Sequence, residues 1–200
     1  MPATTNVRIG HCSPDAPAVD VLVDGAAVVQ DVKFGDVGDY LELAAGSHEI
    51  AICPSGKHDQ PVLEKSLALE PDHEYSVLAI GELADLSTLV LNDDNTEKSN
   101  AGRLRFVHAC PDAPAVDVAF DGARLFANQP FGKSSAYASI DAGSYEVQVM
   151  PAGQTEPVLT IPGVSIENGR TYTAFAIGKL ADDSLDAVVT LDHAPMAKMA

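Results

Sequence analysis

Residues 11–25 read HCSPDAPAVDVLVDG, and residues 108–122 read HACPDAPAVDVAFDG. The two stretches begin 97 residues apart in a chain of 200 residues. A long pattern that returns once at this distance predicts two copies of one structural unit. We call both stretches the signature, and we call residues 14–17 and 111–114 its corners. Each interpretation of the first copy therefore makes a prediction for the second.

The corner predicts a rigid turn between two strands. Its two prolines fix their φ angles and lack backbone donors, and the residue before each proline is held out of the helical region. We expect one strand at residues 7–11 and another at residues 19–23, followed by a hairpin turn at Asp24-Gly25. We also expect the carboxylate of Asp15 to accept hydrogen bonds from backbone N–H groups of its own turn.

The polar residues of the signature have two interpretations. In the first they are structural, with the aspartates at turns and strand edges and each histidine bonded to backbone through one ring nitrogen. In the second they form a cation or small-ligand site. The candidate residues are His11, Asp15 and Asp20 in the first copy, and His108, Asp112 and Asp117 in the second.

The signature resembles the hallmark of a bacterial and archaeal family known as domain of unknown function 4397. The resemblance covers nearly the whole chain. It implies tandem immunoglobulin-like or transthyretin-like antiparallel β-sandwiches, usually associated with the cell envelope, and it supplies no catalytic residues. The chain is most similar in character to haloarchaeal members. It departs from the family pattern at Cys12 and Cys110, where relatives usually have small residues.

The rest of each repeat indicates short strands separated by turn residues every 8–12 positions, which is typical of a sandwich. Phe34 and Phe131 recur at the same register and are predicted to fill the core. Tyr75 and Tyr172 resemble the tyrosine corner of immunoglobulin-like sandwiches, in which the hydroxyl bonds to backbone a few residues upstream. The predicted fold is all-β, with two tandem antiparallel β-sandwich domains. Their predicted bounds are 1–95 and 104–194, with a linker at 96–103 and a tail at 195–200.

The chain is strongly acidic, with a formal net charge of −17. This charge excludes nucleic acid as a partner and disfavours anionic membrane surfaces. The acidity has two interpretations, adaptation to high salt and a cation-binding surface, and the first is favoured because the acidic residues are scattered singly. The charge is uneven, however. Residues 1–97 hold 18 acidic and 4 basic side chains, a net of −14, and residues 98–200 hold 11 and 8, a net of −3.

The three cysteines do not recur between the repeats, so a duplicated disulfide is not expected. Free thiols are the favoured interpretation, and a Cys12–Cys53 bridge is the alternative. A zinc site would require His11, Cys12, Cys53 and His58 to converge, and a calcium site would use Asp15, Asp20 and Asp24 or their counterparts Asp112, Asp117 and Asp121. The zinc ligands lie on separate strands and only His11 recurs in the second repeat, while Asp20 and Asp24 are spaced too widely for one calcium ion. We therefore predict no metal and no cofactor.

We find no phosphate loop, dinucleotide fingerprint or nucleophile elbow. The sequence therefore predicts a non-enzymatic structural, adhesion or interaction module of the cell envelope, with a protein or glycan at the cell surface as partner. The alternative is a small-ligand or divalent-cation binding protein that uses the corners. No run is long enough to insert into a membrane. The first residues do not resemble a signal peptide, which leaves a cytoplasmic location and a processed form both open. The oligomeric state stays undetermined.

Overall fold

The computed structural model describes residues 3–94 and 100–192. The chain divides into two compact units, Met1–Asp94 and Asn95–Ala200. Of the predicted linker, residues 96–99 lie outside the described residues, as does the whole predicted tail at 195–200. The first strand of the second unit begins at Gly102, within the predicted linker.

The first unit consists of short strands joined by tight turns. They are β1 (Thr4–Cys12), β2 (Val19–Val23), β3 (Ala26–Val32), β4 (Leu41–Ala44), β5 (Gly46–Pro54), β6 (Leu63–Leu69), β7 (Glu74–Ile80) and β8 (Ser87–Asp93). One sheet has the order β4-β1-β7-β8 and the other the order β3-β2-β5-β6. A short 3-10 helix, Leu83–Asp85, lies between β7 and β8.

The second unit repeats this plan. Its strands are β9 (Gly102–His108), β10 (Val116–Phe120), β11 (Ala123–Gln129), β12 (Lys133–Ser134), β13 (Ala138–Ile140), β14 (Gly143–Pro151), β15 (Leu159–Ile166), β16 (Thr171–Ile177) and β17 (Asp186–Leu191). One sheet has the order β11-β10-β14-β15. The other has the order β12-β9-β16-β17, with β13 also paired to β9.

Each unit buries one apolar core between its two sheets. In the first unit, alternate residues of β1 and β7 meet alternate residues of β2, β5 and β6, because successive side chains of a strand point to opposite faces. The buried residues of this core are Val7, Ile9, Val19, Val21, Val23, Val32, Ile50, Ile52, Leu67, Leu69, Tyr75, Val77 and Ala79. A matching cluster fills the second unit and includes three phenylalanines. The prediction of two tandem all-β sandwich domains is thereby confirmed.

The sheets are antiparallel with one exception in each unit. Strand β1 runs parallel to β7, and β9 runs parallel to β16. Parallel neighbours need a long connection, and here nearly the whole domain supplies it. This pairing joins residues about 68 positions apart in sequence, so local patterning does not reveal it.

The second strand of each repeat lies in the middle of its sheet. Strand β2 pairs with both β3 and β5, and β10 pairs with both β11 and β14. All five residues of β2 are buried, and Asp20 is only 2% exposed. The interpretation of Asp20 and Asp117 as edge residues is therefore wrong.

The Asp24-Gly25 turn has the geometry that a tight hairpin requires. Val23 pairs with Ala26, and the two residues between them have φ angles of 50° and 80°. Positive φ at both central positions defines the type I′ turn, which matches the twist of the flanking strands. The second repeat has the same turn at Asp121-Gly122.

Phe34 and Phe131 are not core residues. Both are only partly buried, and each packs edge-to-face on a signature histidine. The ring centroids are 6.4 Å apart for Phe34 and His11, and 6.2 Å apart for Phe131 and His108. The two phenylalanines recur because each packs against the signature histidine of its own repeat.

Across residues 3–94 and 100–192, no helix has the length and hydropathy of a membrane span.

Candidate functional site

The signature histidine is fixed within its own turn by both ring nitrogens. Nδ1 of His11 accepts the backbone N–H of Ser13 at 3.2 Å, and Nε2 donates to the carbonyl oxygen of Pro17 at 3.0 Å. The side chain is fully buried. An acceptor at Nδ1 and a donor at Nε2 describe a neutral imidazole of one tautomer. Neither nitrogen is left to hold a ligand.

His108 repeats this geometry. Its Nδ1 accepts the N–H of Cys110 at 3.3 Å, and its Nε2 donates to the carbonyl of Pro114 at 3.0 Å. Burial lowers the pKa of His108, which keeps the ring neutral. The sequence predicts that one ring nitrogen bonds to backbone, whereas in the structure both ring nitrogens do.

The corner carboxylate joins its turn to a distant loop. Oδ1 of Asp15 accepts the N–H of Leu83 at 2.8 Å, at the start of the 3-10 helix. Asp112 accepts two N–H groups, from Leu180 at 2.8 Å and from Ala181 at 2.9 Å. Burial acts to raise the pKa of Asp112, but the hydrogen bonds from Leu180, Ala181, the Cys110 thiol and its own backbone N–H together outweigh it, and the pKa lies below its usual value. The expectation that backbone donors come from the carboxylate's own turn is wrong for Asp15, whose donor is Leu83, whereas Asp112 adds distant donors to the N–H of its own residue.

The strand carboxylate Asp20 holds together a bulge and a hairpin loop. It accepts the N–H groups of Asp31 at 2.8 Å and Gly56 at 2.9 Å, and the hydroxyl of Ser55 at 3.0 Å. Asp31 has a φ of 55° and lies beside a register shift between β2 and β3. The N–H of Gly56, followed by that of Asp31, holds the pKa of Asp20 far below its usual range.

Asp117 repeats this role with Asn128 and Gly153, whose N–H groups lie 2.7 and 3.0 Å from its oxygens. The two repeats place different side chains against the carboxylate. In the first, Nε2 of His58 lies 2.7 Å from Asp20. In the second, Nη1 of Arg124 lies 3.4 Å from Asp117. A nitrogen-bearing side chain thus reaches the same buried carboxylate from two unrelated positions.

The structure does not bring the predicted site residues into one cluster. No hydrogen bond joins any two of His11, Asp15 and Asp20, because each is directed to a different stretch of backbone. Within the described ranges, no group of three or more His, Cys, Asp or Glu side chains could hold a metal ion. The zinc and calcium sets considered above are therefore not assembled.

The three cysteines are buried free thiols, so the alternative Cys12–Cys53 bridge is not formed. Burial raises the pKa of Cys12 to about 12. Cys110 also has a pKa raised to about 12, first by burial and then by the hydrogen bond from its thiol to Asp112. Thiols held in the protonated form are poor nucleophiles and poor metal ligands.

The two tyrosines predicted at the sheet corner each accept a backbone donor five residues upstream. The hydroxyl oxygen of Tyr75 lies 3.3 Å from the nitrogen of Glu70, and that of Tyr172 lies 3.1 Å from the nitrogen of Glu167. Both rings lie in the apolar cores. Each tyrosine therefore ties the turn before its strand to the centre of the sandwich.

Sequence reasoning missed a buried polar network on β1. Nε of Arg8 donates to the hydroxyl of Ser76 at 2.7 Å, and that hydroxyl donates to Asp93 at 2.7 Å. Tyr40 donates to the same carboxylate at 2.6 Å, and its ring lies under the guanidinium at 4.9 Å. Arg8 points away from the core because Val7 and Ile9 point into it.

The same network recurs in the second unit. Arg105 donates to the hydroxyl of Thr173, which donates to Asp192 at 2.8 Å. Tyr137 donates to Asp192 at 2.8 Å and lies 4.7 Å below the guanidinium of Arg105. The available signal was an arginine inside an apolar strand at the same place in both repeats.

Fold and site together define a tandem β-sandwich protein whose signature side chains hydrogen-bond within their own domains. The chain matches the family model described as a domain of unknown function, DUF4397, over residues 5–119 and 102–199. It belongs to that family. No curated protein has a significant sequence match to it.

Several solved structures are similar over most of their length, at low identity. A family 26 carbohydrate-binding module from Eubacterium rectale Amy13K, in complex with maltoheptaose, is 10% identical with a TM-score of 0.30, covering 94% of this chain and 97% of that one. A streptococcal virulence factor that binds alpha-glucan is 12% identical with a TM-score of 0.28, covering 90% and 95%. A candidate cell adhesion protein from Bacteroides eggerthii is 12% identical with a TM-score of 0.24, covering 96% of each chain.

Proposed function

We propose that this protein is a non-enzymatic interaction or adhesion module of the cell envelope, built from two β-sandwiches. One observation carries the proposal. The signature groups that could do chemistry are engaged with their own domain, because the histidine nitrogens and the carboxylates bind backbone N–H and C=O groups. A catalytic acid, base or nucleophile needs an atom directed at substrate. These groups act instead as internal connectors.

The alternative, binding of a cation or small ligand at the corners, has less support. Calcium needs six to eight oxygen ligands, usually including several carboxylates. Asp15 and Asp112 are exposed, but their contacts are to the loops that carry Leu83 and Leu180. Within the described residues, neither belongs to a group of three or more His, Cys, Asp or Glu side chains that could hold a metal ion.

The envelope location rests on the family that the signature identifies. A protein or a glycan at the cell surface is the proposed partner class. Strands with short loops give a rigid scaffold. A rigid scaffold suits recognition because it loses little conformational entropy on binding.

The test is co-sedimentation of the purified full chain with the washed cell-envelope fraction of its source organism. We expect saturable binding. Treatment of the envelope with protease removes binding if the partner is a protein, and periodate oxidation removes it if the partner is a glycan. Absence of envelope binding, together with saturable heats on titration of Ca²⁺ or Zn²⁺, would contradict the proposal in favour of the alternative.

A further inference from the structure

The first unit has a cleft of about 390 Å³ beside its edge strand β3. The floor is apolar and is formed by Ile9, Val28, Val29, Val32, Val37 and Leu41. Strand β3 pairs only with β2 among the described residues, and its residues 28–32 line the cleft. None of the residues that line the cleft belongs to the signature.

Three carboxylates line the rim of the cleft, those of Asp31, Asp36 and Asp39. Asp36 caps the N–H of Lys33 at 2.8 Å, and the ammonium of Lys33 lies 3.8 Å from Asp31 with both side chains largely exposed. Asp39 makes no hydrogen bond or ion pair with any described residue. The rim is therefore net negative, within the half of the chain that carries a charge of −14.

The second repeat provides an internal comparison, because the same positions carry different chemistry. Asn128, Lys133 and Ala136 stand where the first repeat has its three rim aspartates. Phe106 and Phe126 replace Ile9 and Val29, and their rings stack with centroids 6.2 Å apart. Larger side chains thus occupy the floor, and the rim has lost its negative charge.

We infer that the cleft of the first unit binds an extended, cationic peptide segment of a partner protein, in which basic and apolar side chains alternate. This inference deepens the proposed interaction function and rests on it. The occupant follows from charge complementarity, since a carboxylate rim favours lysine or arginine and disfavours acidic or phosphorylated partners.

We expect the bound peptide to be extended because β3 is the edge strand of its sheet and can pair with an added strand. An unpaired strand edge presents backbone donors and acceptors that an added strand can satisfy. Alternate side chains of such a strand then point toward the apolar floor, and those between them point toward the rim. The cleft volume is at the lower end of the range for ligand pockets, which fits one or two apolar side chains.

The experiment measures fluorescence anisotropy of a labelled hexapeptide of alternating lysine and valine with the full chain. A swapped variant exchanges the rim residues between the repeats without changing net charge. Its six substitutions are Asp31→Asn, Asp36→Lys, Asp39→Ala, Asn128→Asp, Lys133→Asp and Ala136→Asp. Each residue moves to a position where its counterpart already stands. Because Asp36→Lys also removes the acceptor of the Lys33 N–H, thermal unfolding of the variant is measured together with its binding.

We expect the swapped variant to bind the peptide at least about tenfold more weakly than the native chain. Val29→Phe, which copies the second repeat and keeps every charge, is expected to weaken binding similarly while unfolding at an unchanged temperature. Alternating glutamate–valine and lysine–serine peptides are expected not to bind. Amide shifts on peptide addition are expected at Val28, Val29 and Gly38.

Equal affinity of the native chain and the swapped variant would overturn the inference, because it would assign binding to net charge alone. Equally tight binding of spermidine would also overturn it in favour of a small cation. No peptide binding by the native chain, with envelope binding retained, would reject this site and leave the proposed function standing. Peptide binding by the native chain without envelope binding would reject the proposed function and leave this site standing.

Discussion

Oδ1 of Asp15 lies 2.8 Å from the backbone nitrogen of Leu83, a residue 68 positions further along the chain. This contact ties the signature corner to the loop that follows β7. Asp112 and Leu180 repeat it at the same separation and distance. A carboxylate that the sequence predicts to stabilise a local turn thus joins two distant segments. Its loss is expected to loosen the loop as well as the corner.

Removal of this tie has a predictable cost. Asp15→Ala is expected to destabilise the first domain by about 0.5–2 kcal/mol, the range for loss of a capping side chain. Asp112→Ala is expected to cost the second domain more, because that carboxylate accepts two N–H groups. Urea unfolding of the full chain, followed by domain-specific amide signals, measures both. A larger loss from the first substitution would contradict the geometry.

Asp20 is expected to contribute to the acid stability of the first domain. Its pKa is far below the unfolded value of about 3.9, so the ionised carboxylate stabilises the fold above about pH 4. That contribution is lost as the pH falls through the folded-state pKa. Asp20→Asn is expected to lower stability at pH 7 and to flatten its pH dependence in the acid range. Acid titrations of both proteins test this, and parallel profiles would show that other carboxylates dominate.

The two corner tyrosines offer a paired test. Tyr75→Phe and Tyr172→Phe each remove one hydrogen-bond acceptor, at an expected cost of about 1–2 kcal/mol. The effect is expected to be smaller for Tyr75, because its contact with Glu70 is longer. Thermal unfolding measures the cost, and the amide exchange rates of Glu70 and Glu167 locate it. Unchanged exchange at these two amides would remove the tyrosines from this role.

His48 makes the first domain sensitive to pH near neutrality. Its Nδ1 lies 2.7 Å from Asp24, and its Nε2 lies 2.8 Å from the carbonyl of Ala44. The hydrogen bond to Asp24, followed by that to Ala44, raises the pKa of His48. The contribution is therefore present below about pH 6.5 and is lost as the pH rises through the raised value.

The second repeat supplies the control for this effect, because Tyr145 stands at the position of His48. His48→Tyr is expected to abolish the pH dependence. The reporter is amide exchange at Glu49, whose N–H donates to Asp24, compared with Glu146, whose N–H donates to Asp121. After correction for the intrinsic rate, protection at Glu49 should fall with rising pH in the native chain only. An equal change at Glu146 would contradict the assignment.

Salt is expected to stabilise the first domain more than the second. Residues 1–97, which contain the first domain, have a net charge of −14, whereas residues 98–200 have a net charge of −3. Added salt screens the repulsion between these charges, because it shortens the Debye length from about 10 Å at 0.1 M to about 3 Å at 1 M. Thermal unfolding across a sodium chloride series, with amide probes in each domain, measures the two responses. Equal slopes would show that local charge does not control stability.

The parts of the fold that local pattern determines could be predicted from the sequence. The strand at residues 19–23 and the Asp24-Gly25 turn follow from alternation and from residues that tolerate positive φ. The parallel pairing of β1 with β7 and the donor of Asp15 could not be predicted, because both join residues 68 positions apart. Local periodicity contains no information about such pairings.

The site shows the same division. The signature contains Asp20, but its contacts depend on Asp31, on the paired strand β3, and on Gly56, in the turn between β5 and β6. Arg8 was overlooked, although Arg105 stands at the equivalent position of the second repeat. A charged residue that recurs within an apolar strand predicts a buried polar network, since burial of an unpaired charge is too costly to persist.

The central claim is that the signature carboxylates hold the fold together and do not form a ligand site. Amide hydrogen exchange at Leu83 tests it most directly, in the native chain and in Asp15→Ala, with Leu180 as the internal control. The account predicts exchange at Leu83 that is about tenfold faster in the variant, equivalent to about 1.4 kcal/mol, with Leu180 unchanged. Exchange at Leu83 that is identical in the two proteins would contradict it, because the carboxylate would then be free to serve a ligand.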